Sequence, residues 1–210
     1  MWPRYLGTLL VAGVCFAQPP YEIGGAIGYG FYRNGTIFGA GTTAEAGIRN
    51  RFAAGFVFGE DLYEYISGEV RYLYHDGHPF LASGNVKSDV QGQSHAIHYD
   101  LLFHLRPREG RLRPFAAAGV GMKDYVIAGP APNPQALPNV ASLTTFDQWK
   151  TLVTVGGGVK YRLYRNLILR GDFLDYLTAF PRRQIQPAAN NTARGIFQQF
   201  TPLFGISYGF

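Results

Sequence analysis

The sequence predicts an all-β fold, an eight-stranded antiparallel up-and-down β-barrel that spans a membrane. Three observations predict it. Apolar and polar side chains alternate along eight segments, the connections between the segments alternate between long and short, and the last strand is aromatic along one face. Aromatic residues make up 15% of the 210 residues and 27 are glycine, a composition that favours strands and tight turns over helices.

The eight segments can be placed along the chain from their period of two residues. They span 22–32, 43–59, 65–75, 94–105, 113–125, 149–163, 166–177 and 195–210. After the first 17 residues no window shows the i, i+3, i+4, i+7 apolar spacing of an amphipathic helix. A parallel sheet built from βαβ units is therefore not expected.

The connections between these segments are of two kinds. Three are short, at 60–64, 106–112 and 164–165. The other four are longer and collect Gly, Pro, Asn and Ser, at 33–42, 76–93, 126–148 and 178–194. Strict alternation of this kind is typical of membrane barrels with short turns at one end and long loops at the other, whereas a sandwich has no reason to sort its loops.

Most segments divide into an apolar face and a face of charge or glycine. In 65–75, for example, Val70 and Tyr72 alternate with Glu69 and Arg71. A soluble barrel turns its apolar face inward and a membrane barrel turns it outward. Aromatic residues near the segment ends favour the membrane, although a lipocalin-like barrel stays open as an alternative. The side chains of 113–125 are too small and mixed to assign its inward face.

Residues 1–17 have the pattern of a secretory signal peptide. Arg4 is followed by an almost uncharged, mostly apolar stretch, and Ala17 ends a plausible cleavage site. The apolar run of about a dozen residues is short of the roughly 20 that a spanning helix needs. The expected mature chain, 18–210, is one barrel domain without cysteine, which excludes disulfide and thiolate chemistry. Lipidation at Cys15 is a weaker alternative, because Val14 stands where a small residue is expected.

Three stretches carry a resemblance to a known family. They are Arg113-Pro114-Phe115-Ala116-Ala117-Ala118-Gly119-Val120-Gly121, Gly156-Gly157-Gly158-Val159-Lys160-Tyr161 with its turn into Leu167-Ile168-Leu169-Arg170-Gly171-Asp172-Phe173, and Gly205-Ile206-Ser207-Tyr208-Gly209-Phe210. On these stretches the chain resembles the small eight-stranded outer-membrane β-barrels, a family that includes the OmpA transmembrane domain, OmpX and Opa-like proteins.

The resemblance covers essentially the whole expected mature chain and implies a bacterial outer-membrane location. It implies lipid and lipopolysaccharide as the surroundings and recognition of the last strand by the barrel-assembly machinery. The closing-strand signal would consist of Phe204, Ile206, Tyr208 and Phe210. The peptidoglycan-binding module that follows the barrel in OmpA is not expected here.

Six charged residues share the predicted inward parity. They are Glu69, Arg71, Asp100, Lys160, Arg170 and Asp172. The lumen of an eight-stranded barrel is just wide enough for side chains to fill, so opposite charges would meet there at low dielectric and pair. The pattern predicts a structural plug, and an ion path gated by the same pairs is the open alternative.

No metal, cofactor or catalytic site is expected. His95 and His98 point to opposite faces of a strand, while His75 and His78 flank a loop residue and leave a weak zinc or copper site as an alternative. None of the five histidines has serine two residues later, the pair used by outer-membrane lipid deacylases. Gly156–Gly158 lies inside a strand, where a phosphate-binding loop cannot form.

The modest net charge of +5 argues against nucleic acid and for contact with anionic surfaces. Four arginines crowd the turn before segment 113–125 and could contact lipid headgroups or peptidoglycan or simply be solvated: Arg106, Arg108, Arg111 and Arg113. The sequence predicts a monomeric structural or surface-contact protein that acts through its long extracellular loops. A narrow pore or small-solute transporter is the first alternative, and an outer-membrane lipid-modifying enzyme is the second.

Overall fold

Eight strands close into a barrel in the computed structural model, which describes residues 21–39, 42–192 and 195–210. The barrel strands are β1 (Tyr21–Arg33), β4 (Arg51–Asp61), β5 (Ile66–Asp76), β8 (Gly92–His104), β9 (Leu112–Ile127), β11 (Gln148–Arg162), β12 (Leu167–Ala179) and β14 (Ile196–Gly209). Six shorter strands lie between them: β2 (Gly35–Gly39), β3 (Thr42–Ile48), β6 (Pro79–Ser83), β7 (Val86–Asp89), β10 (Ala141–Leu143) and β13 (Ile185–Pro187).

The order of strands around the barrel is β1-β14-β12-β11-β9-β8-β5-β4, and every neighbouring pair, including β1 with β4, is antiparallel. Because this order follows the chain, the barrel is of the up-and-down type. The prediction of an all-β, eight-stranded antiparallel barrel is confirmed. The predicted signal peptide, 1–17, lies outside the described residues. None of the described residues forms a helix long and apolar enough to cross a membrane.

Side chains alternate between the lumen and the outer surface along each barrel strand. In β8, Ile97 and Tyr99 are exposed, whereas His98 and Asp100, which alternate with them, are buried in the lumen. Strand β9, whose inward face the sequence leaves unassigned, turns its odd-numbered residues inward. The buried side chains on that face are Arg113, Phe115, Ala117, Lys123 and Tyr125.

The outer surface of the barrel is an apolar belt. Phe56 is 69% exposed, Val120 65% and Phe204 74%, while charged side chains such as Arg71 and Arg170 are buried inside. In water this arrangement would be inverted, because charged side chains are almost never buried unless they are paired and large apolar patches are not left exposed. In lipid it is the arrangement that a closed barrel requires.

Connections sort to the two ends of the barrel as the sequence predicts. The turns at 62–65, 105–111 and 163–166 lie at one end, the turn end. The four long connections lie at the other, the loop end, and they contain all six of the short strands. The sequence did not predict these additional strands.

The prediction of a single strand over 43–59 is wrong. The chain forms two strands there, β3 and β4, which separate at Asn50. The side-chain oxygen of Asn50 accepts a hydrogen bond from the Tyr32 amide at 2.8 Å, and its carbonyl accepts one from the Tyr29 hydroxyl at 2.8 Å. These bonds tie Asn50 to the rim of β1, so only the residues after it continue down the barrel wall.

The short strands form a folded cap over the loop end. One sheet has the order β2-β3-β6-β7 and the other pairs β10 with β13. Their apolar side chains share one buried cluster with the inward residues Tyr32, Tyr125 and Phe197 at the ends of β1, β9 and β14. The cap contributes the remaining members, among them Ile37, Ala44, Ala46, Ile48, Leu81, Leu143 and Ile185. An apolar core therefore covers the loop end of the lumen.

Strand β14 closes the barrel by pairing with β1 on one side and β12 on the other. Its aromatic face is directed outward, with Phe204, Ile206 and Tyr208 exposed on the belt and Phe210 exposed just beyond the strand. The amide of Phe210 donates to the Tyr21 carbonyl at 2.9 Å, so the pairing with β1 continues to the last residue. Every closing-strand residue named from the sequence lies on the outer surface.

A charge placed on the belt tests which face meets lipid. Val120 is 65% exposed, and its register partners Tyr99 and Val153 offer no acidic side chain. Val120→Arg is expected to destabilise the barrel in lipid vesicles by about 2 to 4 kcal/mol, which is the cost of placing an arginine near the bilayer midplane. Val120→Leu, which keeps the apolar surface, is the control and should fold as the parent does. Equal folding free energies for the two variants would contradict the assignment of this face to lipid.

Candidate functional site in the barrel lumen

The lower lumen, toward the turn end, holds a cluster of buried charges that five barrel strands supply. The six residues named from the sequence lie within it: Glu69 and Arg71 on β5, Asp100 on β8, Lys160 on β11, and Arg170 and Asp172 on β12. The structure adds Glu22 of β1, which is not among the six residues named from the sequence. We refer to these seven residues as the charge network.

Arg71 connects three carboxylates of the network from its place on β5. Its guanidinium lies 2.7 Å from Glu69, 3.1 Å from Asp100 and 2.8 Å from Asp172, the last on a strand across the lumen. A guanidinium presents a planar fork of five donors, so it can bind several carboxylates at once. The side chain is therefore held from both sides of the lumen.

Arg170 and Lys160 bind the remaining acids. Arg170 lies 3.1 Å from Glu22, 2.9 Å from Glu69 and 3.0 Å from Asp172. Lys160 lies 2.7 Å from Glu22 and 2.6 Å from Glu69. Every cation of the network contacts at least two carboxylates, and Glu69 contacts all three cations. Removing one member leaves buried charges without their partners.

Two glycines make room for these carboxylates. A Cβ atom on Gly158 would lie 2.8 Å from Asp172 Oδ1, and one on Gly119 would overlap Asp100 and Thr154. These two inward glycines therefore have a packing role. Thr154 donates a hydrogen bond to Asp100, which also accepts one from His98 Nδ1 at 2.9 Å.

Above the charge network, toward the cap, the lumen becomes apolar and then polar again. Leucines from four strands form an apolar layer directly above the network: Leu73, Leu152, Leu174 and Leu203. Beyond this leucine layer lies a second polar group, around the fully buried Lys123 and under the cap. The sequence did not predict that Lys123 points into the lumen, because the inward face of segment 113–125 could not be assigned. The one available signal was that the two cations Arg113 and Lys123 are both odd-numbered and so lie on the same face.

The arginine-rich turn at 105–111 is not simply solvated. Arg113 is buried and lies 3.2 Å from Asp61, and Arg108 lies 3.3 Å from the same carboxylate. Arg111 stacks over the ring of Tyr161 at 5.2 Å, while Arg106 is exposed. The turn end of the lumen is therefore bordered by arginines that bind the barrel itself.

The structure does bring one serine and one histidine together at the turn end. The Ser67 hydroxyl lies 2.8 Å from His104 Nε2 and donates to Asp61 Oδ1 at 2.6 Å. The carboxylate contacts the hydroxyl and not the imidazole, and Ser67 is only 1% exposed. Ser67 lines a small cavity at the turn end with Asp61 and Arg113, but among the described residues no partner bonds the other ring nitrogen of His104, so the carboxylate that orients the base of a serine nucleophile is lacking.

The histidines do not converge on a metal. His75 is buried in the lumen, while His78 lies at the loop end, 3.7 Å from Asp76. Within 21–39, 42–192 and 195–210, no three His, Cys, Asp or Glu side chains are grouped to hold a metal ion. The two residues of the weak site considered from the sequence are thus directed to different places.

Solved structures of other proteins share this architecture. Outer membrane protein OprG of Pseudomonas aeruginosa superposes with a TM-score of 0.56 at 12% identity, over 92% of this chain and 97% of OprG. Neisserial surface protein A gives 0.54 at 10% identity, over 91% and 97% of the two chains. Outer membrane protein AlkL, solved in lipid bilayers, gives 0.52 at 17% identity, over 100% and 97%.

The chain has the fold of the small outer-membrane β-barrels. The resemblance read from the sequence is confirmed at the level of fold, and identities this low carry no more than the fold. No family model and no curated protein matches the sequence. The outward apolar belt is that of a barrel that spans a lipid bilayer, and the neighbours OprG and AlkL are outer membrane proteins.

Loss of one arginine tests the charge network. Arg170→Ala would leave Glu22, Glu69 and Asp172 each without one cationic partner, and breaking a buried ion pair costs about 3 to 5 kcal/mol of unfolding free energy. Arg182→Ala, on an exposed loop, is the control and should change it by no more than about 0.5 kcal/mol. The measurement is urea unfolding in detergent micelles. Equal urea midpoints for the two variants would count against a stabilising network.

Proposed function

We propose that this protein is a closed, non-conducting barrel that presents a folded extracellular surface for contact at the cell surface. The observation that carries the proposal is the cap, because it turns the long connections into a packed structure over the lumen. A pore would need an open path at that end. Long loops that only line a mouth would not need a core of their own.

The lumen is obstructed at more than one level, which supports the non-conducting function over the narrow pore. The charge network fills the lower lumen with ion-paired side chains, and the buried leucine layer lies above it. An ion crossing the barrel would have to separate these pairs and then pass an apolar layer at low dielectric. The network thus acts as a structural plug in this proposal.

We propose no catalytic activity for this barrel. The Ser67–His104 pair is the arrangement nearest to a nucleophile and base, and its hydroxyl is already bound by Asp61. The lipid-facing belt consists largely of apolar side chains, which cannot activate water or a nucleophile. Both points support a structural function over lipid modification.

The surroundings in this proposal are outer-membrane lipid and lipopolysaccharide around a monomer. The belt offers apolar side chains to acyl chains, with aromatic residues such as Tyr208 and Trp149 near its two edges. We assign recognition by the barrel-assembly machinery to β14. Both edges of this strand are paired in the closed barrel, with β1 and β12, so only its outward side chains are exposed.

The contact surface that we propose is a basic and aromatic patch on the extracellular side. Lys150 lies within electrostatic range of Arg182 and Arg183, and the turn that carries both arginines is tied to β11 by a 3.1 Å hydrogen bond from the Arg183 amide to Gln148. Phe146 and Trp149 are exposed beside it. Among the described residues no carboxylate forms an ion pair with these three cations, and cations next to aromatic rings favour anionic saccharides as ligands.

Planar-bilayer recording of the refolded protein tests closure. We expect no resolvable single-channel conductance in molar potassium chloride, because the leucine layer and the cap both exclude hydrated ions. An open 16- to 18-stranded porin recorded in the same bilayer is the positive control. Stable unitary conductance from the protein would favour the pore and overturn the proposed function.

Binding of a polyanion tests the contact surface. Purified protein in micelles is expected to bind dextran sulfate and not neutral dextran, and Arg182→Gln/Arg183→Gln should weaken that binding at least about tenfold, most strongly at low salt. Arg106→Gln/Arg111→Gln removes the same charge at the periplasmic turn and is the matched control. Equal weakening by the two double variants would show that net charge, and not the patch, governs binding.

A further inference from the structure

A second polar group in the lumen lies between the leucine layer and the cap. We call it the upper chamber and define it by Tyr32, His75, Ser94, Lys123 and Gln199, all of them buried. Strand register brings these residues together: His75 pairs with Ser94, and Gln199 pairs with Tyr32. The leucine layer lies below the chamber and the apolar core of the cap lies above it, while Tyr176, which bonds His98 at 3.1 Å, connects the chamber to the charge network.

Lys123 is the charged residue of this chamber. It is 0% exposed, and its amine donates a hydrogen bond to the side-chain oxygen of Gln199. The amine also lies 5.0 Å from the ring centre of Tyr125, 5.4 Å from that of Tyr32 and 5.8 Å from that of Tyr176. Among the residues described, no carboxylate forms an ion pair with it, in contrast to Lys160 below.

The chamber is rich in hydrogen-bond donors that have no protein partner. Within the described part of the chain, four buried polar atoms there have no partner in hydrogen-bond geometry: Tyr32 Oη and Ser94 Oγ, which lie close to each other, His75 Nδ1 and Gln199 Nε2. Each of these atoms can donate, and the amine of Lys123 has two further protons beyond the one given to Gln199. His75 Nε2 lies 3.5 Å from the Thr201 hydroxyl, which leaves Nδ1 able to carry the ring proton.

We infer that the upper chamber binds one small monovalent anion of the halide class, held by the Lys123 ammonium and the surrounding hydroxyl and amide donors. A buried ammonium needs a compensating charge, because transfer of an isolated ion into a low-dielectric interior is very unfavourable. The free hydrogen-bonding atoms of the chamber donate, which suits an anion. Buried water beside a neutral Lys123 amine is the competing arrangement, and it would show no dependence on halide concentration.

A cation does not fit the same chamber. Hard cations require carboxylate or carbonyl oxygens. Asp100 and Asp172 lie below the leucine layer in ion pairs with Arg71, and Asp76, at the rim, is paired with Arg51 at 3.0 Å. The three tyrosine rings around Lys123 present their faces to its own amine. The chamber therefore carries only positive charge, and its ligand is an anion.

Thermal unfolding of the full-length protein in micelles tests the inference. Ionic strength is held constant while sodium chloride or sodium bromide replaces sodium gluconate. A ligand that binds only the folded state raises the melting temperature with the logarithm of its concentration. We expect this rise for the parent and for Lys87→Met, whose residue is exposed on β7 in the cap, and no rise for Lys123→Met.

Two further measurements keep the test decisive if Lys123→Met does not fold. Tyr32→Phe/Ser94→Ala retains the charge and removes two donors, and it should need a higher halide concentration for the same rise. Crystals grown in bromide should show an anomalous peak beside Lys123 Nζ. Identical halide dependence in the parent and in the variants that fold, or only water at that position in bromide crystals, would overturn the proposal.

Discussion

The constraint on which the rest of this structure depends is that a barrel in lipid must satisfy its polar interior by itself. Period-two alternation gives every strand two faces, and lipid takes the apolar one, so every charge on the other face is enclosed in a lumen only a few side chains wide. Glu69 shows the consequence, because it contacts Arg71, Lys160 and Arg170 at once. No strand could change its inward charge alone, since each cation contacts acids from at least two strands.

The cap extends the same constraint beyond the membrane. Where the barrel wall ends, the inward face can no longer be filled by neighbouring strands, and Tyr32, Tyr125 and Phe197 would be left at an open mouth. Ile37, Leu81 and Leu143 of the cap cover them instead. The long connections are thus held by apolar burial, and their free faces remain available for contact with other molecules.

Much of the barrel could be predicted from the sequence because alternation in one strand is a local property. The inward parity of Arg71, Asp100 and Asp172 needed no knowledge of neighbours. Glu22 was harder to place, since only barrel closure brings β1 near Lys160 and Arg170. The break at Asn50 depends on two hydrogen bonds to β1, which lies about 20 residues earlier in the chain, and no local pattern marks it. Lys123 was missed because alanine and glycine occupy both faces of β9 and leave almost no contrast.

Two buried lysines show how position along the barrel axis decides the environment of a charge. Lys160 lies in the lower lumen with Glu22 and Glu69, in a network of four carboxylates and three cations. Lys123 lies above the leucine layer, where tyrosine rings and Gln199 surround it. The charge network therefore has one more carboxylate than cations, whereas the upper chamber holds Lys123 and no paired carboxylate, with Leu73, Leu152, Leu174 and Leu203 between the two groups. Because an apolar layer keeps opposite charges from pairing directly, the upper chamber must find its counter-charge locally, and the donors around Lys123 define where that charge can be held.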